Sequence, residues 1–191
     1  MNQKSQDKKN TILHTTLELI AEQGFHGTSV SQIAEKAGIN VGSMYYYFTN
    51  KDDILHALYM DCKARITQHA FHNCAGDIPP DECLKRMIWN LVSYFIQNKA
   101  VIFYVEQYEN SPYFSDSTAA SEYADIMKPY MELYERLNRQ RLIKDLPVEL
   151  IQSLLYGSIT SLTKRYLNSE DSFDESVLSA AIDAIWDMIQ R

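Results

Sequence analysis

The residues most able to recognise another molecule lie between Gly27 and Leu55, in the run GTSVSQIAEKAGINVGSMYYYFTNKDDIL. Three consecutive tyrosines, Tyr45, Tyr46 and Tyr47, follow Asn40, Val41, Gly42 and Ser43. A phenol donates to a phosphate oxygen or to a base edge, and its ring can touch a thymine methyl. Gly42 lets a backbone approach closely. The N-termini of the helices on either side of Gly38 offer N–H groups to phosphates. These types at this spacing are suited to a DNA duplex. The competing reading is an αα corner whose tyrosines pack on some other surface.

Short elements must hold those side chains in place. Ile12, Leu13, Thr16, Leu17, Leu19 and Ile20 repeat near 3.6 residues and predict a first helix from about Lys8 to Glu22. Gly24 ends it in a conformation open to glycine, and Phe25 folds back on the stripe. Thr28 is expected to cap a second helix that turns Val30, Ile33, Ala34 and Ala37 inward. Small Ala34 and Ala37 permit a close crossing, Gly38 supplies the left-handed turn, and Asn40 caps a short third helix. Ile39, Met44 and Phe48 face inward, the last two as an i, i+4 pair. The result is a helix-turn-helix over about residues 29–48.

Other chemistry is sparse. Cys62, His69, His72 and Cys74 include residues that share a helical face, but the short ligand pairs of a zinc site are absent and no metal is expected. Gly-x-Gly-x-x-Gly, Walker A, Gly-x-Ser-x-Gly and His-Glu-x-x-His patterns do not occur. Asp53-x-x-His56 is the nearest approach to a di-iron Glu-x-x-His pair. No enzyme activity and no cofactor are expected.

Charge separates the chain into two parts. Residues 1–51 hold five lysines, no arginine and four carboxylates, whereas the remainder holds 13 basic and 21 acidic side chains of a total net charge of -7. A near-neutral head on an acidic body points to the head as the part that meets a polyanion. No apolar run is long enough for a membrane span and the first ten residues lack a signal-peptide core, so a cytoplasmic protein without membrane contact is expected. Six glycines and five prolines in 191 residues predict an all-α chain.

Beyond the head, helices are expected over about 52–74, 81–97, 100–109, 117–141, 147–168 and 174–190. Gly76-Asp77-Ile78-Pro79-Pro80 breaks the chain, Pro129 should kink or split its helix, and Ser169–Ser172 should form a loop.

Residues from about Lys9 to Leu58 resemble the DNA-binding head of the TetR/AcrR family of regulators. The match is carried by Phe25, Gly27-Thr28-Ser29-Val30, Ile33-Ala34, Ala37-Gly38-Ile39, Gly42-Ser43-Met44-Tyr45-Tyr46-Tyr47-Phe48 and Lys51. The resemblance implies DNA contacts by Thr28, Ser43, Tyr45, Tyr46, Tyr47 and Lys51, with Gly42 at close approach. Ser29, Asn40 and Val41, at the starts of the two helices, complete the expected DNA-binding set. Val41 stands where many relatives carry Lys or Arg, and the head has no arginine for a bidentate guanine contact. A helix-turn-helix head over residues 1–50 and a helical effector-binding and dimerisation body over 51–191 follow.

The resemblance also implies a two-helix dimer face and a ligand pocket. Leu154, Gly157, Ser158 and Ser161 of the penultimate helix, with Ala181, Ile185 and Trp186 of the last, are the expected dimer residues. Both helices are apolar over more than one stripe, as a four-helix interface or a fully buried pair requires. Tyr94, Phe103, Tyr104, Tyr108, Tyr123, Met127 and Tyr130 are the expected ligand residues, because buried tyrosines need partners that a polar ligand or water supplies. Ordinary core packing is the alternative for each. The function expected is a homodimeric repressor of an inverted-repeat operator, responding to a small amphipathic or aromatic effector. The alternatives are an effector-independent DNA-binding regulator and, further off, a helical enzyme or metal-binding protein.

Overall fold

The computed structural model describes residues 3–74, 76–114, 120–168 and 174–191. Among them lie nine helices: α1 (Gln3–Gly27), α2 (Val30–Lys36), α3 (Val41–Tyr47), α4 (Lys51–Ala70), α5 (Pro80–Gln97), α6 (Lys99–Glu109), α7 (Ala120–Arg139), α8 (Val148–Asn168) and α9 (Glu175–Ile189). The all-α class holds, with a three-helix head at the N-terminus. None of the described helices is long and apolar enough to cross a membrane. The expected Ser169–Ser172 loop and the start of the seventh helix at Ser117 lie outside the described residues.

The helices form two compact units whose boundary falls inside α4, between Lys63 and Ala64. The first contains α1, α2, α3, the opening turns of α4, and α6 from Ala100 onward. Its core includes Ile12, Leu17, Ile33, Met44, Phe48, Leu55, Leu58, Tyr104 and Tyr108. Helix α1 starts at Gln3, earlier than the apolar stripe requires; Gln3, Lys4, Gln6, Lys8 and Lys9 among its polar opening residues are good helix formers. Gly24, with φ +72°, interrupts it where a positive φ was expected. Gly38, with φ +68°, makes the turn between α2 and α3.

The N-cap of α2 is Ser29, correcting the assignment to Thr28. Ser29 Oγ accepts from the Gln32 amide at 3.3 Å, and the Gln32 side chain accepts from the Ser29 amide at 2.8 Å. Thr28 is buried and donates instead to the Gly24 carbonyl at 2.9 Å, closing the loop before α2.

In the second unit α5 packs against α7, α8 and α9. Its inward face includes Leu84, Met87, Ile88, Leu91, Val92 and Phe95. Lys85 reaches Asp183 on α9 at 2.7 Å. The C-terminus is pinned by an antiparallel bridge between Ile143 and Gln190, with the Lys144 amide donating to the Ile189 carbonyl at 2.8 Å. Pro129 lies within α7 without splitting it. Helix α4 stops at Ala70 rather than near Cys74, and Asn73 beyond it has φ +58°.

Candidate nucleic-acid interface

Helix α3 is a seven-residue element held at both ends. Asn40 Oδ1 accepts from the Ser43 amide at 2.7 Å, and the Phe48 amide donates to the Met44 carbonyl at 3.0 Å. Met44 and Phe48 are 1% and 3% exposed, so the inner face is anchored in the head's core. Tyr45 and Tyr46 are 57% and 81% exposed. Tyr46 meets the half-buried Tyr47 edge to face at 5.1 Å. Val41 and Gly42 are exposed and Ser43 is half-buried. A Cβ added at Gly42 would meet only Asn40 Oδ1, at 3.4 Å, an ordinary contact.

The remaining expected DNA residues occupy different environments. Ser29 is exposed at the N-cap of α2, while Thr28 presents no free side chain. Lys51 is half-buried at the start of α4, with Nζ donating to the Phe25 carbonyl. This ties α4 to the end of α1 and leaves the ammonium with donors to spare. At the start of α4 the Asp53 amide donates to Asn50 Oδ1 and the Thr49 amide to Asp53 Oδ2, each at 2.8 Å. The Asn50-x-x-Asp53 spacing was the available signal.

The head's electrostatics also involve residues outside the expected set. Lys36 forms ion pairs with Glu22 at 3.1 Å and Glu18 at 3.4 Å, and its hydrogen bond to Glu22 favours the charged ammonium. Lys9 Nζ lies 5.7 Å from the centre of the Phe48 ring, a cation–π contact joining α1 to the end of α3.

The seven expected ligand residues fall in both units. Phe103 is 41% exposed, whereas Tyr104 and Tyr108 are 2% and 1% exposed in the first unit. Tyr104 donates to the Leu55 carbonyl at 2.6 Å and Tyr108 to the Tyr113 carbonyl at 3.2 Å, so protein groups meet their demand for partners. Burial raises both phenol pKa values. In the second unit Tyr94 stacks on His69 at 4.4 Å, and Tyr130 meets Phe71 edge to face at 4.9 Å. Burial pushes the Tyr130 phenol up to about 12, opposed by a hydrogen bond with Thr67. Tyr123 and Met127 are half-buried.

The expected dimer residues divide by exposure. Ile185 and Trp186 are each 8% exposed and packed within the chain's own core. Gly157 and Ser161 are exposed, while Leu154, Ser158 and Ala181 are half-buried. Leu150 at 45%, Tyr156 at 40% and Val177 at 50% extend this outward apolar surface. A Cβ at Gly157 would meet nothing within 4 Å. Among the described residues no three His, Cys, Asp or Glu side chains gather into a metal site.

Two family models match the chain: "Bacterial regulatory proteins, tetR family" over residues 12–58 and "Tetracyclin repressor-like, C-terminal domain" over residues 79–190. The fatty acid metabolism regulator protein of Bacillus subtilis is 25% identical over 178 residues, 90% of this chain and 89% of that protein. A TetR family transcription regulator from Marinobacter aquaeolei superposes with a TM-score of 0.89 at 22% identity, covering 100% of this chain and 99% of that one. FadR from Bacillus subtilis, solved in complex with stearoyl-CoA, superposes with a TM-score of 0.65 at 22% identity, over 93% and 95% of the two chains.

Proposed function

The chain belongs to the TetR family and is a DNA-binding transcriptional regulator rather than an enzyme, and from that premise we propose that it is a repressor whose hold on DNA an amphipathic small molecule changes. It acts in the cytoplasm as a homodimer, one α3 entering the major groove at each half of an inverted repeat. Residues 1–50 form the reading head and 51–191 the effector-binding and dimerisation body. The observation that carries the DNA reading is the exposure of Tyr45 and Tyr46 on a helix whose opposite face is locked into the core. Ser29, Asn40, Val41, Gly42, Ser43, Tyr47 and Lys51 complete the contact surface, and Thr28 supports it from beneath.

Two helical glycines support this reading. Glycine inside a helix costs about 0.5–1 kcal/mol relative to alanine. The fold requires neither Gly42 nor Gly157, since a methyl group fits at both. Their lack of a side chain serves a close approach from outside: DNA at Gly42 and a second copy of the chain at Gly157. The dimer face is the outward surface of α8 and α9 around Leu154, Gly157, Ser161 and Ala181.

The effector seat is placed at Tyr94, Tyr123, Met127 and Tyr130, on α5 and α7. An acyl-type ligand is the first class to test, since the similarity to the Bacillus subtilis fatty acid metabolism regulator spans most of both chains. The experiment is to select an operator from a random duplex library, then titrate stearoyl-CoA into the protein with and without it. An enriched inverted repeat supports the DNA reading; no enrichment overturns it. A coupling of about 1–3 kcal/mol would make the two ligand affinities differ about 5–150-fold, and equal affinities would remove this effector.

A further inference from the structure

Within the head, cations are scarce and two are already engaged. Lys36 is paired with Glu18 and Glu22, and Lys51 donates to the Phe25 carbonyl. The other three lysines of residues 1–51, Lys4, Lys8 and Lys9, fall on the opening turns of α1. Lys4 and Lys8 are exposed one turn apart, with no ion pair to any carboxylate among the described residues. The carboxylate between them, Asp7, accepts from the Gln3 side-chain Nε2 at 3.3 Å, so three lysines face one local acid.

This placement works against the isolated helix. Lys4 and Lys8 form a like-charge i, i+4 pair. They sit at the positive end of the helix dipole, and the first turn of α1 carries no acid. Charge is graded along α1, from these lysines to Glu18 and Glu22, about three to five turns further on. Lys9 locates the basic end, because its ammonium lies over the ring of Phe48, the residue that caps α3. The contact brings the stretch of α1 around Lys9 next to the C-terminus of the helix carrying Tyr45 and Tyr46, with Lys8 one residue away and Lys4 one turn further toward the start of α1.

We infer that Lys4 and Lys8 are phosphate-binding residues that grip the DNA backbone beside α3, with Lys9 positioning them through Phe48. The inference rests on the DNA-binding reading and extends the contact surface beyond the helix-turn-helix. A polyanion there relieves the lysine repulsion and the unfavourable dipole together.

The test uses the full chain carrying Lys4→Gln and Lys8→Gln, two exposed positions whose replacement leaves the core untouched. Affinity is measured across a salt series for the selected operator and for a mixed-sequence duplex of about 30 base pairs, long enough for two half-sites. Loss of two phosphate contacts should make the log–log salt slope shallower by about 2 per protomer. Both duplexes should weaken by the same factor, preserving the specificity ratio, since phosphate contacts carry no sequence information. A Lys99→Gln, Lys128→Gln variant removes the same charge elsewhere and should keep the parental slope. An unchanged slope in the α1 variant, an equal change in this control, or an altered specificity ratio would each overturn the inference. A parent protein that selects no operator would instead bring down the DNA-binding reading beneath it.

Discussion

Phe25 and Tyr104 meet edge to face with ring centroids 5.7 Å apart, joining the end of the first helix to α6 across 79 residues of sequence. Tyr113 also meets Phe25 edge to face, at 6.0 Å, and Lys51 donates to the Phe25 carbonyl. Tyr104 bonds the Leu55 carbonyl and stacks on Tyr108, which stacks on Tyr59 at 4.8 Å. A continuous aromatic column thus ties α1, α4 and α6 into one unit. Movement of α6 would be felt at Phe25, immediately before the loop that leads into α2.

A double-mutant cycle with Phe25→Leu and Tyr104→Leu should give a stability coupling of about 0.5–1.5 kcal/mol, the range for an aromatic pair beyond its area burial. Urea unfolding of the four proteins measures it. Strict additivity would mean that the two rings only share a neighbourhood.

Asn40 separates folding from recognition. Asn and Asp are about equally good N-caps, whereas alanine costs about 1 kcal/mol. Asn40→Asp should therefore keep stability near the parent value, because a carboxylate oxygen can replace the acceptor of the Ser43 amide. Its new negative charge beside the proposed DNA surface should nevertheless weaken operator binding at least tenfold, about 1.4 kcal/mol. Asn40→Ala should lose stability first. Parental DNA affinity in Asn40→Asp would remove Asn40 from the interface.

Gly157→Arg is the clean test of the proposed dimer. Outside the helix's own local backbone nothing lies within 4 Å of a Cβ at this site, and arginine has a helix propensity better than glycine's by about 0.8 kcal/mol. The folded protomer should lose nothing, so a shift to monomer in sedimentation would report the interface alone. Trp186→Glu would be ambiguous, since Trp186 is buried within its own chain and an unpaired charge there costs several kcal/mol of folding. A dimeric Gly157→Arg protein would place the interface elsewhere.

The division between what was readable and what was not follows the range of the interactions. Gly24, Gly38, Asn40 and the Met44–Phe48 pair act over a few residues, and their roles followed from spacing. Two adjacent candidates defeated that reasoning at the second helix: Thr28 and Ser29 can both cap, and only the Gln32 partner three residues after Ser29 decides between them. The opening of α1 carries no apolar period to mark it. The tyrosines were recognised as a group, but not their partners, because Tyr104 bonds a carbonyl 49 residues away and periodicity says nothing at that range. The outward faces of α8 and α9 were legible only as excess apolar surface. Which side was outward depended on the packing of α5 against both.

Alkaline pH should expose the buried phenols. Burial lifts the Tyr104 pKa well above the ordinary tyrosine range, with Cys62 and Tyr108 adding to the effect, and raises Tyr108 in the same direction with help from the Asp52 charge. Tyr130 and Cys83 are each pushed up to about 12, chiefly by burial. In every case the folded pKa exceeds the unfolded one. Below the unfolded value, about 10 for tyrosine, both states are protonated and stability is intact. Above it the unfolded chain releases protons that the folded one keeps, so stability falls as pH rises, by up to about 1.4 kcal/mol per pH unit for each group. Tyrosinate absorbance from these residues should therefore appear together with loss of helical signal rather than before it. Tyr104→Phe discriminates. It removes the bond to the Leu55 carbonyl and should cost about 1 kcal/mol at neutral pH. It should also flatten the alkaline limb by one group's share, so the stabilities of parent and variant converge as pH rises. Parallel stability curves over the alkaline range would show that the Tyr104 phenol ionises in the folded protein as easily as in the unfolded chain.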